Sequence, residues 1–356
     1  MIQLPPRTEM ERAFFLKDSS YNGVFFTAVR TTGIFCVPSC PARRPNAENI
    51  EFFPSVREAL AAGYRPCKRC SPMQAGGALP EWIEPLLRLA ENPPNRRITE
   101  ADVRGLGIDP VRARRYFMQQ YGMTFHSYCR AYRMGNALES IRNGVTLDEV
   151  IGESGYESHS GFRDAFQRVF GDAPARSRTQ SCIVATWLET PLGPMVAGAN
   201  RDGVCLLEFT DRRMLETQFV TVRTRFRSFI VPGTNEHLEL LKHELAQYFA
   251  AQLVRFTVPL VHPGTPFEER VWKELLGIPY GQTRSYEELA TAVGASGAAR
   301  AVGAANGRNR ISIVIPCHRV INKNGELSGY GGGVWRKRLL LESERTHTQL
   351  ELRTGA

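Results

Sequence analysis

No stretch of this sequence approaches the roughly eighteen consecutive apolar residues that a membrane-spanning helix requires. The opening run Met1-Ile2-Gln3-Leu4-Pro5-Pro6 has neither the basic head nor the apolar stretch of a secretory leader. The expectation is a cytoplasmic protein with no membrane partner. In a reducing compartment its cysteines at 36, 40, 67, 70, 129, 182, 205 and 317 read as thiols or metal ligands, not disulfides. Acidic residues are short of basic ones, 36 against 45, leaving a net charge of +9. That surplus favours a polyanionic partner, or else only a well-solvated basic surface, and there is too much acid for a disordered basic tail. Hydrophobic content of 42% and charge of 23% are ordinary for globular protein.

A chain of 356 residues can hold about two to four domains. Breaks fall at Ser71-Pro72-Met73-Gln74-Ala75-Gly76-Gly77, at Gly171-Asp172-Ala173-Pro174 with the polar run after it, and more softly at Pro263-Gly264-Thr265-Pro266. From Glu81 to Arg176 the apolar spacing is helical. A weak internal repeat sets Phe117, Tyr121 and Gly122 against Phe166, Phe170 and Gly171, 49 residues on. Asp109 with Pro110 suits one helix start, Ser158 another, and Thr146 with Glu149 forms a capping box. Strands are expected over Ile183 to Glu189, Met195 to Ala199 and Val204 to Phe209, then a helix over Asn235 to Ala250.

Cys36-x3-Cys40 followed by Cys67-x2-Cys70 is two close pairs that can fold around one tetrahedral Zn2+. The usual role of such a site is structural. Here Arg43, Arg44, Arg65, Lys68 and Arg69 crowd the ligands, a natural setting for phosphate. The segments Ala28 to Cys40 and Arg65 to Cys70 resemble the N-terminal domain of the Ada family of adaptive-response proteins. That resemblance implies that Cys36, a ligand, is also the nucleophile that removes a methyl from a methylphosphotriester of the DNA backbone. Four thiolates on Zn2+ carry a net charge of about −2, and methylating one leaves about −1, so repulsion from DNA falls.

The repeat reads as two helix-turn-helix units with recognition helices starting near Pro110 and His159. Phe117 and Phe166 face the cores, and Arg112, Arg114, Arg115 and Arg163 are candidate DNA contacts; a plain bundle with solvated arginines is the alternative. Gly155 to Pro174 resembles the second unit of AraC-type regulators. The first unit fits less well, because Gly105 and Gly107 fall in or beside its leading helix, each weakening it by roughly 1 kcal/mol relative to alanine.

The most specific signal is Ile315-Pro316-Cys317-His318-Arg319-Val320. With Phe267 to Trp272, Tyr280 to Tyr286, Ala299 to Gly303, Gly329-Tyr330 and Leu339 to Glu344, it resembles the O6-alkylguanine-DNA alkyltransferase family. The resemblance implies Cys317 as methyl acceptor, His318 as its base through a water, and Glu344 as partner of the imidazolium. It implies Tyr286 as proton donor to the departing guanine and Arg300 as the side chain that replaces the flipped nucleotide. Asn309 braces the active-site turn, and Tyr330 and Val320 belong to the substrate pocket. Small residues at 301, 303, 304 and 305 suit either close approach to DNA or tight helix packing. Gly331-Gly332-Gly333 departs from bulkier family residues and predicts a loose pocket lip. Cys129, Cys182 and Cys205 read as core residues.

The resemblances together imply a multidomain α+β chain. A small zinc-binding methylphosphotriester-repair domain spans 1–75, and an all-α AraC-type double helix-turn-helix spans 80–178. An RNase H-like α/β half spans 182–264 and a winged-helix alkyltransferase domain 265–346. The implied function is single-use repair of O6-methylguanine, with O4-methylthymine, on Cys317 and of phosphotriesters on Cys36, the latter switching on transcription. Implied partners are alkylated and promoter double-stranded DNA and RNA polymerase, for a monomer in a bacterial nucleoid. Two rivals stand: a zinc- or redox-sensing AraC-type regulator with a vestigial alkyltransferase module, and repair without regulation.

Overall fold

In the computed structural model, residues 4–70, 72, 80–92, 96–121, 123–171, 173–174, 182–212, 215–327 and 329–354 are described, without the side chains of 119, 120, 216 and 350–354. Most of the two linker stretches expected after Cys70 and after Gly171 lies outside them, as does Gly122 of the repeat.

After helix α1 (Arg7–Phe15), β-branched and aromatic residues form β1 (Phe26–Val29), β2 (Ile34–Cys36) and β3 (Ile50–Phe53), followed by α2 (Val56–Ala61) and β4 (Arg65–Pro66). The sheet order is β3-β1-β2-β4, with β2 and β4 parallel. Phe26, Ala28, Phe35, Val37 and Ala59 fill a small core that includes Cys36, Cys40 and Cys67.

Helices α3 (Glu84–Glu91), α4 (Glu100–Gly105), α5 (Pro110–Tyr121), α6 (Phe125–Arg142), α7 (Leu147–Glu153) and α8 (His159–Phe170) follow. The expected caps are present: Val111 N donates to Asp109 at 3.0 Å, Gly161 N to Ser158 at 3.2 Å, and Thr146 and Glu149 close a capping box. The eighteen-residue α6 serves two cores. Its first half packs with Phe117 and its second with Phe162, Phe166 and Phe170, so the repeat is two helix-turn-helix units sharing one long helix. Gly105 and Gly107 do not weaken α4 from within. Gly105 ends it, and Gly107, at φ +73°, makes the turn into α5, a conformation glycine takes without strain.

Strands β5 (Cys182–Leu188), β6 (Met195–Ala199) and β7 (Val204–Phe209) form an antiparallel meander. The sequence pattern had not marked α9 (Leu215–Phe226) or β8 (Phe229–Pro232), which runs parallel to β5 at the sheet edge. Helix α10 (Glu236–Phe249), capped by Asn235, covers one face. Helix α6 sits on β8 so closely that a Cβ on Gly135 would lie 2.8 Å from Val231. Arg201 ties the two parts by reaching Glu139 and Asn143 at 2.7 Å.

The last part holds α11 (Pro266–Leu276), β9 (Arg284–Ser285), α12 (Tyr286–Ala292), α13 (Ala299–Gly307), β10 (Val320–Ile321) and α14 (Val334–Thr354). Its apolar residues merge with those of the meander and α10 into one core that also takes in Met10, Ala13, Tyr21, Val24 and Phe25. The architecture is multidomain and mixed, as expected.

Candidate metal centre and alkyl-acceptor site

Strand pairing assembles the first site. Parallel pairing of β2 with β4, through the bond from Cys67 N to the Phe35 carbonyl at 3.0 Å, sets Cys36 beside Cys67. A turn closed by Cys40 N and the Val37 carbonyl brings Cys40 back. The ligand atoms of Cys36, Cys40, Cys67 and Cys70 then lie within 4.8 Å of one another. Four sulfurs at that separation match the tetrahedral Zn2+ sphere, whose Zn–S bonds are about 2.3 Å. The hydrogen bond between Cys36 and Cys70, together with burial, pushes the Cys36 thiol up, and the same bond holds Cys70 down to about 5 against the opposing effect of burial. A divalent cation replaces that shared proton. Arg43, Arg65, Lys68 and Arg69 are exposed around the sulfurs, whereas Arg44 is turned inward, donating to the Pro38 carbonyl at 2.8 Å and lying over Phe14.

Cys317 opens a short 3-10 turn, Cys317–Arg319, ahead of β10. It sits 5% exposed at a cleft of about 450 Å3 lined also by Tyr286, Arg300, Gly303, Asn306 and Tyr330. Burial raises the thiol pKa, opposed by a hydrogen bond that Asn309 Nδ2 donates to the sulfur at 3.1 Å. The same amide nitrogen donates to the Ile315 carbonyl at 2.9 Å, and Asn306 donates to the Cys317 carbonyl at 3.2 Å. Asn309 thus fixes both the turn and the sulfur.

Behind the cysteine, His318 and Glu344 are wholly buried and joined at 2.9 Å through Nε2. Glu344 also accepts from Arg319 twice at 2.9 Å, Tyr248 at 2.7 Å and Gly281 N at 3.1 Å. Burial would raise its carboxyl, but the bonds to His318 and then Arg319 hold it well below the carboxylate range. Burial pushes His318 below its ordinary 6.5, Glu344 opposing, so the imidazole is neutral near pH 7. Its Nδ1 is buried with no hydrogen-bond partner among the described residues. If neutral His318 is the base, alkyl transfer to Cys317 keeps its rate as pH falls from about 8 through 6.5, where an ordinary histidine is half protonated. Single-turnover rates across that range check this; a midpoint at 6.5 would count against it.

The meander positions the cysteine loop. Leu207 N donates to the Arg310 carbonyl and Ser312 N to the Leu207 carbonyl, both at 2.8 Å. Between these hooks and Cys317, Ile313 is held at φ +72°, a strained conformation for a buried β-branched residue that costs about 1–3 kcal/mol. Arg212 pairs with the fully buried Glu208 and donates to the carbonyls of Asn309 at 3.1 Å and Gly307 at 2.7 Å. Burial raises Glu208 to about 7 despite that arginine. Arg212→Gln would push Glu208 further up, so that it takes a proton, and would remove the guanidinium bonds to the Asn309 and Gly307 carbonyls, a loss of about 1–3 kcal/mol. A markedly lowered unfolding temperature, with slower alkyl uptake, is the expected outcome in thermal melts and rate assays.

The structure brings Tyr286, Arg300, Cys317 and Tyr330 to one cleft, with Asn309, His318 and Glu344 buried behind it. Val320 does not line that cleft. It is fully buried in β10, and its carbonyl accepts from Lys337 at 2.5 Å. Lys337 was not singled out from sequence; burial lowers it to about 8, and its Nζ lies 5.8 Å from the Tyr286 ring centre. The small residues of α13 serve both readings: Ala305 is buried, while Arg300, Ala301 and Ala304 face outward. Arg112, Arg114, Arg115 and Arg163 are exposed on α5 and α8, with Arg112 stacked over Trp82 at 4.2 Å.

The predicted loose lip is not loose. Each of its three glycines allows a close approach. A Cβ on Gly331 would lie 2.7 Å from the Arg212 guanidinium carbon, and one on Gly332 2.5 Å from Phe209. One on Gly333, at φ +94°, would lie 2.7 Å from Ser20 Cβ. Cys129 and Cys205 are buried, as expected of core thiols, whereas Cys182 is half-buried at the edge of the core that α8 packs into.

Three families match in the order of these sites. Residues 9–73 match "Metal binding domain of Ada", 103–180 "Helix-turn-helix domain" and 266–346 "6-O-methylguanine DNA methyltransferase, DNA binding domain". The "Bifunctional transcriptional activator/DNA repair enzyme Ada" of Escherichia coli is 33% identical, covering 92% of this chain and 93% of its own. The "Regulatory protein ada" of Salmonella typhimurium is 32% identical over 92% and 94%. A "Methylated-DNA--protein-cysteine methyltransferase" of Mycobacterium tuberculosis is 47% identical over 46% of this chain and 94% of its own. Since the first two relatives run alongside this chain for nearly its full length, through the metal centre, the paired helical units and the cysteine cleft alike, the chain belongs to the Ada family.

Proposed function

We propose that this chain is a single-use DNA repair methyltransferase and transcriptional activator of the alkylation response. Cys317 accepts the methyl of O6-methylguanine and O4-methylthymine, and Cys36 that of a backbone methylphosphotriester. The observation that carries the reading is the Cys317 thiol, held by Asn309 at a cleft with the buried His318–Glu344 pair behind it.

A base must leave the helix to reach so buried a sulfur. Arg300, exposed at the start of α13, takes its place in the stack. His318 takes the thiol proton through a water and Glu344 balances the imidazolium. The sulfur bonds to the methyl carbon as the carbon–O6 bond breaks, the electron pair passing to the base, which Tyr286 protonates. Tyr330 walls the cleft. The thioether is not hydrolysed, so each acceptor works once.

At the other centre, Cys36, Cys40, Cys67 and Cys70 hold one zinc, which keeps the thiolates ionised and nucleophilic at neutral pH. Arg43, Arg65, Lys68 and Arg69 bind phosphates beside Cys36. Arg112, Arg114, Arg115 and Arg163 bind promoter DNA from α5 and α8. The modules 1–75, 80–178, 182–264 and 265–346 carry phosphotriester repair, promoter binding and, the last two together, base repair. The protein binds double-stranded DNA; we assign it RNA polymerase as a further partner, a monomeric state, and a cytoplasmic place on the nucleoid. Among the described residues no helix is long and apolar enough to cross a membrane.

Incubation with duplex DNA labelled at O6-methylguanine tests this reading. Label moves to the protein, at most one methyl per chain from this lesion. A labelled duplex left intact would favour a zinc- or redox-sensing regulator with a vestigial C-terminal module.

A further inference from the structure

The lip of the alkyl cleft leans on a segment of the N-terminal module, some three hundred residues away in sequence. Tyr330, on the cleft wall, starts a tight turn closed by the bond from Gly333 N to the Tyr330 carbonyl at 2.9 Å. The far end of that turn abuts Ser20, with no room for even a methyl group on Gly333. Two residues on, Trp335 Nε1 donates to the Ser20 carbonyl at 2.7 Å, a buried bond. Ser20 is held in turn by Asp18, which accepts from its backbone N at 3.0 Å and its hydroxyl at 2.7 Å.

Flanking contacts fix the segment on both sides. Ser19 donates to the Asp211 carbonyl at 3.0 Å, and the Asp211 carboxylate pairs with Arg336 at 2.8 and 2.9 Å. Arg338 reaches Glu9, which also accepts from the Tyr21 hydroxyl at 2.7 Å. Tyr21 is buried in the same core as Trp335 and Cys317. On its other side the segment meets the metal-ligand loop, where Asn22 Nδ2 and Ser39 Oγ are 2.8 Å apart.

We propose that the Ser19–Tyr21 turn is a specificity-determining part of the alkylguanine site: the N-terminal module buttresses the Tyr330–Gly333 lip and limits the size of alkyl group that reaches Cys317. The lip has three glycines and little stiffness of its own. Its position is set by what it packs against, Arg212 and Phe209 on one side and Ser20 on the other. With the buttress in place the lip disfavours groups much larger than methyl. Without it the lip yields, and a bulky group gains more than a methyl does. Ser20 and Trp335 are positioning residues, acting through Tyr330. This rests on the alkyl-acceptor reading of Cys317.

The test uses the full zinc-loaded chain and two duplexes, one carrying O6-methylguanine and one O6-benzylguanine. Second-order transfer rates are measured for the unaltered protein, for Trp335→Phe, and for Glu9→Arg. The first variant removes the donor and keeps the ring. The second sets like charges against Arg338 from the N-terminal module, outside the alkyltransferase itself. Both variants are expected to raise the benzyl-to-methyl rate ratio by about fivefold, the scale of one lost buried hydrogen bond, with the methyl rate little changed. General loss of structure lowers both rates together and leaves the ratio alone. An unchanged ratio in Glu9→Arg protein that still transfers methyl normally overturns the proposal. No methyl transfer by the unaltered protein overturns instead the function assigned to Cys317.

Discussion

Cys317→Ala protein is expected to take up no methyl group from O6-methylguanine duplexes, however long the incubation, while still folding and binding zinc. The side chain occupies little volume and donates no hydrogen bond on which the fold depends; Asn309 keeps its bonds to the Ile315 carbonyl and to Ile311 N. Among the described residues the change removes the only sulfur lining the cleft, so the effect on transfer is total. Glu344→Gln is the informative companion. It keeps the shape but removes the charge that stabilises a protonated His318 and that Arg319 and Tyr248 converge on. Proton transfer by a positioned side chain contributes about 10²- to 10⁴-fold, and transfer by this variant is expected to slow by about 10²-fold or more. Near-normal rates in Glu344→Gln would remove His318 from the role of base.

The second large effect is expected at the metal centre. Zinc-loaded protein methylated on Cys36 should bind DNA about tenfold to a hundredfold more tightly than the unmethylated form. A unit charge about 6 Å from a phosphate, at an effective dielectric near 20, contributes roughly 3 kcal/mol, which salt reduces. Removing one negative charge from among Arg43, Arg65, Lys68 and Arg69 therefore favours phosphate without any refolding. The gain should shrink as salt is raised, and Cys36→Ala protein should acquire no methyl from phosphotriesters. Titrations of both forms at two salt concentrations check it. Equal affinities at low salt would mean that the charge on the sulfurs does not gate DNA binding.

Local chemistry was legible in the sequence. Cysteine spacing gave the four ligands because each pair is close along the chain, and capping residues marked the starts of α5, α7 and α8. Cys317, His318, Asn309 and Glu344 could be picked out only through family resemblance, since nothing in their spacing brings Glu344 to His318. What stayed hidden depends on pairs distant in sequence. Arg212 meets Asn309 and Gly307 nearly a hundred residues on, Tyr248 meets Glu344 across 96, and Trp335 meets Ser20 across 315. No periodicity encodes such contacts. The glycines at 331, 332 and 333 misled for the same reason: the residues that crowd them come from β7, the segment just after it and the N-terminal module. Val320 misled through its place in a motif, since the chain turns at Cys317 and carries it into the core.

The central claim is that two sulfurs, Cys36 and Cys317, each take a methyl from DNA. Peptide mass spectrometry of the reduced, zinc-loaded chain, after exposure to duplex DNA carrying both phosphotriesters and O6-methylguanine, tests it most directly. The account predicts one added methyl on the peptide containing Cys36, one on the peptide containing Cys317, and none on those containing Cys129, Cys182 or Cys205. Both acceptor peptides emerging unmodified, or methyl groups spread over all the cysteines, would contradict it.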